Sequence, residues 1–264
     1  QGDEILYSFF LFGNVENSSI TNLNCENVDI FGEESVAALA GSASNLIITN
    51  CHVSGKIVMN EGCCVGGLVG TGYALTVTNC SSTVDISSYY NPDYSAYIGA
   101  LIGYTEDSSF KNCFSTDGIV SGTRYSGGLI GYAAYDCMIE DCETKGMIVK
   151  GTYEVGGLIG YNEYSTIKNC RSLDTTVEAE FDDAGGFAGL NLGEITGCKS
   201  TGSVKGVHNV GGMIGINKGY SYASGYASEL DSSCRVEGQD CVGGIIGLNQ
   251  DGVYDYDTLH FDIT

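Results

Sequence analysis

Short apolar runs recur along this chain at a nearly constant spacing, and each run ends in a glycine block best written Gly-Gly-Leu-Ile-Gly. The last glycine of the block falls at positions 13, 41, 70, 103, 131, 160, 189, 215 and 247, so the intervals range from 26 to 33 residues. A period near 29 residues over nearly the whole chain is typical of stacked structural repeats. Runs of Val, Ile and Leu broken by Gly, Asn, Ser and Asp predict short strands joined by turns.

Alignment of the repeats on this glycine reveals further apolar positions. About seven residues after the glycine stands a large apolar residue, and about ten residues after it stands a small one, usually Cys. The strand that follows carries Val28, Ile57, Val84, Ile119, Ile148, Val177 and Val204. One repeat alone cannot bury these residues, so neighbouring repeats must stack. We therefore predict an all-β parallel β-helix (a β-solenoid) of about nine coils, each with about three short strands, and with the right-handed winding that parallel crossovers favour.

The repeat also predicts the domain organisation. No break in composition interrupts it, so residues 1–264 form a single β-solenoid domain. We expect residues 1–30 to be the first, capping coil, residues 31–250 to be regular coils and residues 251–264 to be the C-terminal end. The chain begins without Met and directly in the first coil, so we expect it to be part of a larger exported protein. No run of 18 apolar residues is present, so we expect no direct membrane insertion.

Seven of the twelve cysteines share one repeat position, at which the first coil has Leu23. They are Cys51, Cys80, Cys113, Cys142, Cys170, Cys198 and Cys234. Since leucine substitutes for cysteine there, we predict a ladder of free thiols that pack as small apolar side chains. Neighbouring coils are close enough for disulfides, which remain the alternative. The bonding state of the other five is left open: Cys25, Cys63, Cys64, Cys137 and Cys241.

The charge balance restricts the partners. With 33 acidic and 11 basic residues the net charge is -22, which argues against nucleic acid as a ligand and against anionic membrane surfaces. We interpret the acidity as a device that keeps an elongated β-protein soluble. Calcium bridging by acidic loops is the alternative, although no EF-hand loop or calcium nonapeptide is present. No cofactor and no metal site are predicted.

Catalytic motifs are missing from the sequence. There is no nucleophile elbow, and the three histidines belong to no Ser/His/Asp set in a known order. Glu178, Glu180, Asp182 and Asp183 form an acidic cluster on one coil, without matching carboxylates on the adjacent coils. We therefore expect that the chain is not an enzyme. A carbohydrate-degrading β-helix enzyme, similar to a polysaccharide lyase or hydrolase, is the alternative.

Tyrosines concentrate where the repeat is irregular, in the intervals of 33 and 32 residues. Insertions in a solenoid form surface loops, and tyrosine offers a flat apolar ring with a polar tip. The predicted ligand-binding residues are Tyr89, Tyr90, Tyr94, Tyr220, Tyr222 and Tyr226. A regular column just after the glycine block, with Tyr104, Tyr132 and Tyr161, is interpreted as scaffold packing.

The repeat resembles the GLUG-motif family, named for Gly-Leu-any-Gly. The matching pieces are GGLVG at 66–70, GGLIG at 127–131 and 156–160, GGMIG at 211–215, GGIIG at 243–247 and NCRS at 169–172. Repeats of this family occur in large exported bacterial proteins, including adhesin-like proteins and regions of immunoglobulin A peptidases. The resemblance implies an extracellular, cell-surface, non-catalytic stalk or adhesive module and supplies no catalytic residues. We thus expect an adhesin-like module or stalk directed at host or bacterial surface glycan or protein.

Overall fold

A computed structural model of the chain describes residues 11–89, 96–220, 223–251, 253–255 and 260–261. Within these ranges every regular element is a β-strand. The strands are β1 (Phe12–Thr21), β2 (Asn24–Val36), β3 (Ala40–Thr49), β4 (His52–Gly66), β5 (Val69–Tyr73), β6 (Thr76–Thr78), β7 (Ser81–Ser88), β8 (Tyr97–Gly99), β9 (Ile102–Glu106), β10 (Ser109–Lys111), β11 (Phe114–Thr116), β12 (Ile119–Ser121), β13 (Arg124–Gly127), β14 (Ile130–Ala134), β15 (Met138–Glu140), β16 (Glu143–Lys145), β17 (Ile148–Gly156), β18 (Ile159–Glu163), β19 (Thr166–Lys168), β20 (Arg171–Gly185), β21 (Ala188–Asn191), β22 (Glu194–Thr196), β23 (Lys199–Lys205), β24 (His208–Gly211), β25 (Ile214–Tyr220), β26 (Ala223–Ser224), β27 (Tyr226–Ser228), β28 (Asp231–Glu237), β29 (Asp240–Gly243), β30 (Ile246–Gln250), β31 (Val253–Asp255) and β32 (His260–Phe261).

These strands stack in parallel into two sheets, which we name sheet A (17 strands) and sheet B (15 strands). In one turn of the solenoid, β9 and β10 lie in sheet A and β11, β12 and β13 lie in sheet B. The next turn begins at β14, where Ile130 pairs with Ile102 one repeat earlier. The predicted β-solenoid is confirmed. It has about eight turns, because nine glycine blocks enclose eight intervals, and each turn is divided into more segments than the predicted three.

The core is a stack of apolar columns, one residue per turn. In sheet A the column contains the fully buried Ile48, Val77, Phe110, Ile139, Ile167 and Ile195. In sheet B the inward residues of β12 and β17 are Val120 and Val149, whereas Ile119 and Ile148 are 39% and 37% exposed. The apolar pair Ile-Val leaves the phase of the strand ambiguous in sequence, and a shift of one residue reverses which face is buried. Our assignment of the isoleucines to the core is therefore corrected.

Glycines form the corner at which sheet B turns back into sheet A, and the reason is close approach of backbone. A Cβ on Gly127 would overlap the carbonyl oxygen of Ile130, and a Cβ on Gly128 would overlap the carbonyl oxygen of Gly157 in the next turn. Left-handed φ angles recur at a second corner, where Asn50, Asn79 and Asn112 have φ between 52° and 54°. Asparagine tolerates that conformation at little cost.

The asparagines stack into two ladders. At the corner before the cysteine, the Asn79 Nδ2 donates to Asn50 Oδ1 at 3.2 Å, and Asn50 donates to Asn22 at 3.1 Å. A second, buried ladder follows the glycine block, in which Asn162 donates to Asn191 at 2.7 Å and Asn191 to Asn217 at 2.8 Å. Along the stack each amide donates to the next one, and at the end of the buried ladder the Oδ1 of Asn162 is left without a partner.

The cysteine position forms a buried column next to the first asparagine ladder. The backbone N–H of Cys142 donates to the Sγ of Cys170 at 3.4 Å, and the N–H of Cys170 donates to the Sγ of Cys198 at 3.4 Å. The thiols in turn donate to carbonyl oxygens two residues earlier, as Cys170 Sγ does to Lys168 O at 3.2 Å. Burial raises the pKa of Cys80 to about 12, so its sulfur stays a thiol donor. Four sulfurs of the column thus accept the backbone N–H of the preceding cysteine: those of Cys80, Cys142, Cys170 and Cys198.

The register between β23 and β28 shows that Cys234 does not belong to this column, so the prediction that placed it there is wrong. Lys199 pairs with Asp231, so the residue that stacks on Cys198 is Leu230, which is 1% exposed. Cys234 pairs instead with Gly202, and its Sγ lies 3.5 Å from Ser200 Oγ. The column therefore runs through six cysteines, and leucine occupies its position in the turns before Cys51 and after Cys198. All twelve cysteines lie in the described ranges and are free; Cys63 and Cys241 are exposed, Cys25 is half-buried, and Cys64 and Cys137 are buried.

Candidate functional site

A column of tyrosines stands immediately after the glycine block on the outer face of sheet A. Tyr104, Tyr132 and Tyr161 are stacked in register, because each is two residues past the first residue of β9, β14 and β18. The Tyr132 and Tyr161 rings are nearly parallel (6°) with centroids 4.6 Å apart, and Tyr104 meets Tyr132 edge-on at 5.3 Å. All three side chains are half-buried, so part of each ring faces solvent.

A second set of rings joins this column from sheet B, on the other side of the glycine corner. Tyr97 and Tyr125 occupy equivalent positions just before the block and stack at 5.2 Å. Tyr97 lies 5.2 Å from Tyr132, and Tyr125 lies 5.5 Å from Tyr161. We name the continuous group the tyrosine surface; it comprises Tyr73, Tyr97, Tyr104, Tyr125, Tyr132 and Tyr161.

Carboxylates fix the orientation of two of these rings. The Tyr104 hydroxyl donates to Glu106 Oε2 at 3.1 Å, and the Tyr132 hydroxyl donates to Glu163 Oε2. Burial, and then the carboxylate acceptor, raises the pKa of both phenols, so they remain protonated donors. The hydroxyls of Tyr104 and Tyr132 are therefore anchored and the half-buried rings are held in place by stacking on one another, which lowers the entropy cost of binding.

Arg124 extends the surface towards the following turns. Its guanidinium donates to both oxygens of the buried Glu154, at 2.7 Å and 3.1 Å, and this bidentate contact raises the pKa of Arg124. The same guanidinium lies 5.0 Å from the Tyr125 ring centroid and 5.5 Å from that of Tyr153, within cation–π range. Tyr153 stacks on the exposed Phe181 at 5.6 Å. Aromatic and cationic groups thus continue along the stack.

Tyr97 and Tyr125 stand just before the glycine block, and in the following turns polar residues occupy this position. Tyr125, Glu154, Asp183 and Asn209 occupy equivalent positions with φ between 48° and 64°. Burial is the main cause that raises the pKa of Asp183 to about 6, against a hydrogen bond from Asn209 Nδ2 at 2.8 Å. Next to it, Asp182 has one buried carboxylate oxygen without a partner.

Of the six predicted ligand-binding tyrosines, the structure describes the side chains of two, Tyr89 and Tyr226. Tyr90, Tyr94 and Tyr222 lie outside the described residues, and the side chain of Tyr220 is also outside them. Tyr89 is 62% exposed and follows the last residue of β7 in sheet B. Tyr226 is half-buried in β27, where it pairs with Glu194 in sheet A. The two described candidates therefore lie in different sheets.

The sequence reasoning missed Tyr97 and Tyr125 and assigned the regular tyrosine column to scaffold packing. The signal was available: both residues stand one position before the residue that opens the glycine block. Grouping them with Tyr104, Tyr132 and Tyr161 requires two things. The repeats must be aligned on that position, and the two sheets must be known to meet at the glycine corner.

The predicted acidic cluster is divided by a bulge in β20. The ladder between β17 and β20 shifts after Gly151, which pairs with Ala179, so that Tyr153 pairs with Asp182. Glu178 and Glu180 line an open groove on sheet B together with Glu237, whereas Asp183 lies beside Glu154 near the tyrosine surface. In the groove, Glu178 is paired with Lys150 at 2.8 Å and Glu237 with Lys205 at 3.5 Å.

Neither a metal site nor a membrane-spanning helix is found within the described residues. No three His, Cys, Asp or Glu side chains in those ranges converge as metal ligands. In the same part of the chain, no helix has the length and apolar composition that a membrane crossing requires.

Comparison with known families identifies the repeat. The family model described as the GLUG motif matches residues 61–87, 151–178 and 183–205, each of which contains a glycine block or its flanking strands. The chain carries GLUG motifs. The predicted resemblance is confirmed, and the geometry explains the motif: its glycines are the corner at which backbone approaches backbone.

Two curated proteins are similar to part of the chain. The chain is 30% identical over 138 residues to an immunoglobulin A1 protease of Streptococcus pneumoniae serotype 4, and 29% identical over 138 residues to an immunoglobulin A1 protease of Streptococcus sanguinis. The match covers 50% of this chain and 7% of each relative, so the chain spans a small part of their length. Together with the fold, these matches fit a β-solenoid surface protein.

These relatives also correct one expectation. The prediction that the chain is not an enzyme is wrong, because both similar proteins are named as a protease, which is a proteolytic enzyme. The physical reason for the error is that repeats describe the scaffold, and a scaffold alone carries no information about the chemistry of the protein to which it belongs.

Proposed function

We propose that this chain is an extracellular module of a larger surface protein and that it binds a host protein or glycan through the tyrosine surface. The observation that carries the proposal is a set of six tyrosine rings, with centroid spacings of 4.6–6.0 Å, held over neighbouring turns of a rigid solenoid. Tyrosine supplies a large contact area with few rotatable bonds, and it is enriched among the residues that dominate binding energy. A spacer would need no such cluster of preorganised rings, each with part of its surface open to solvent.

Immunoglobulin A1 is the first ligand to test, because the name of the similar proteins specifies it. On this proposal the module helps a larger enzyme to engage a glycoprotein substrate. The net charge of -22 keeps the solenoid soluble and disfavours adsorption to anionic cell surfaces, so that contact depends on the aromatic patch.

The test measures binding of the 264-residue chain to immobilised immunoglobulin A1, before and after enzymatic removal of its glycans, and to a glycan array. The double variant Tyr132→Ala/Tyr161→Ala should bind at least about tenfold more weakly, because it removes the parallel pair at the centre of the patch. Tyr132→Phe should bind nearly as well as the wild type, since the ring remains.

Tyr135→Ala is the matched control. Tyr135 is 46% exposed and contacts Tyr164 at 5.7 Å, outside the tyrosine surface. Equal losses for Tyr135→Ala and the double variant, with thermal unfolding unchanged, would contradict a specific site. Absence of binding to immunoglobulin and to every arrayed glycan would favour a stalk.

A further inference from the structure

A groove of about 670 Å³ runs across several turns on sheet B, apart from the tyrosine surface. Three parallel columns line it. The first is Ser121, Lys150, Glu178, Lys205 and Glu237, which are paired in register from turn to turn. The second is Gly122, Gly151, Ala179, Gly206 and Gly238, and the third is Glu180, Val207 and Gln239. The five residues of the first column are separated by four spacings of about 4.8 Å, so the column is about 19 Å long.

The middle column has small residues for a steric reason that also creates the groove. A Cβ on Gly122 would overlap Ile98, and a Cβ on Gly151 would come within 2.8 Å of Val155 Cγ2. A Cβ on Gly206 would come within 2.9 Å of Val210 Cγ2. Because these side chains are missing, the backbone of the middle column packs directly against core side chains. The middle column therefore forms the floor of the groove, and the long side chains of the first column stand beside it.

Charges within the groove nearly cancel, in contrast to the rest of the molecule. Two lysines face three glutamates among the lining residues, whereas the chain has 11 basic and 33 acidic residues. The Lys150–Glu178 and Lys205–Glu237 pairs alternate in sign along the column and are 44–64% exposed. Alternating charges give little net field, yet every group retains capacity for further hydrogen bonds.

Backbone groups of the middle column are already used between turns. The N–H of Gly122 donates to the carbonyl of Lys150 at 3.0 Å, and the N–H of Gly206 donates to that of Glu237 at 3.0 Å. An extended peptide that binds by strand addition needs unpaired backbone donors and acceptors, which these positions do not offer. The available contacts are instead a flat C–H floor and a row of side-chain donors and acceptors.

We propose that this groove binds a neutral, linear glycan. The apolar faces of the sugar rings would lie on the glycine and alanine floor and against Val207, and their hydroxyls would hydrogen-bond to Glu178, Lys205 and Gln239. A neutral polymer suits the balanced charges, whereas an anionic one would be repelled by the whole chain. This site is additional to the tyrosine surface and does not depend on its ligand.

The test uses the 264-residue chain and neutral hexasaccharides of glucose (β-1,4- and α-1,4-linked) and of N-acetylglucosamine as probes, followed by calorimetry and by amide chemical shifts. At least one probe should bind and shift amides of residues 121–122, 150–151, 178–180, 205–207 and 237–239. Glu178→Gln and Gln239→Ala should each weaken this binding at least fivefold, because both side chains are accessible and need not support the fold.

Glu140→Gln is the matched control, since Glu140 forms the same kind of pair with Lys111 at 3.5 Å on sheet A. It should leave glycan binding unchanged, and the amides of Tyr132 and Tyr161 should not shift, which separates this proposal from that of the tyrosine surface. The inference is overturned if none of the hexasaccharides binds at millimolar concentration, if Glu140→Gln weakens binding as much as Glu178→Gln, or if an extended peptide shifts the groove amides in place of the glycans.

Discussion

The substitution Cys170→Ala tests whether the cysteine column is more than apolar filling. Cys170 is fully buried, and its sulfur accepts the backbone N–H of Cys142 and donates to Lys168 O. Alanine removes the acceptor and leaves a buried N–H unsatisfied, which costs about 1–3 kcal/mol. The sulfur-sized gap adds about 1 kcal/mol, as a methyl-sized cavity does. We expect a loss of about 2–4 kcal/mol in the free energy of unfolding.

Urea unfolding followed by circular dichroism under reducing conditions measures this loss from the midpoint and slope. Cys170→Ser keeps an acceptor at the site and should lose less than the alanine variant. Cys63→Ala is the control, because Cys63 is exposed and lies outside the column. If Cys170→Ala loses no more than about 1 kcal/mol at an unchanged slope, which is the cost of the gap alone, the sulfur–backbone bonds contribute nothing and the column is apolar packing alone.

Three further predictions follow from the corner, the buried carboxylate and the thiols. Gly157→Ala should destabilise the chain by more than about 3 kcal/mol or prevent folding, because its Cβ would overlap the Gly186 carbonyl oxygen, whereas Gly13→Ala, with nothing within 4 Å of its Cβ, should be nearly neutral in thermal unfolding. The folded-state pKa of Asp183, about 6, lies above its ordinary value of 3.8, so its protonated form favours the folded chain and its contribution to stability falls as the pH rises from about 4 to about 6. Asp183→Asn should therefore be more stable than the wild type at pH 7, by up to about 3 kcal/mol, with the difference vanishing near pH 4; a difference that does not change between pH 4 and pH 7 in urea unfolding would contradict this. Titration with a thiol reagent in denaturant without reductant should find twelve free thiols, and a count well below twelve would mean that disulfides cross-link the stack.

How far the sequence predicts the fold follows from the repeat itself. A residue that recurs every 29 positions must lie in the same environment in every turn, so the glycine corner, the asparagine ladders and the cysteine column can all be located by counting. Counting fails where the spacing changes. Cys234 was placed with the other cysteines because it is the cysteine nearest to the expected position, but the pairing of Lys199 with Asp231 puts Leu230 there.

Tertiary structure decided which surface is formed. Tyr97 and Tyr132 belong to different sheets and are 35 positions apart, yet their rings lie 5.2 Å apart because the glycine corner folds sheet B back onto sheet A. The groove likewise depends on a bulge in β20, which leaves no periodic mark. Periodicity in the sequence determines what repeats along the stack, since each turn must match the next. Periodicity does not say where within a turn the chain folds back, so only the folded chain determines which columns of side chains share a surface.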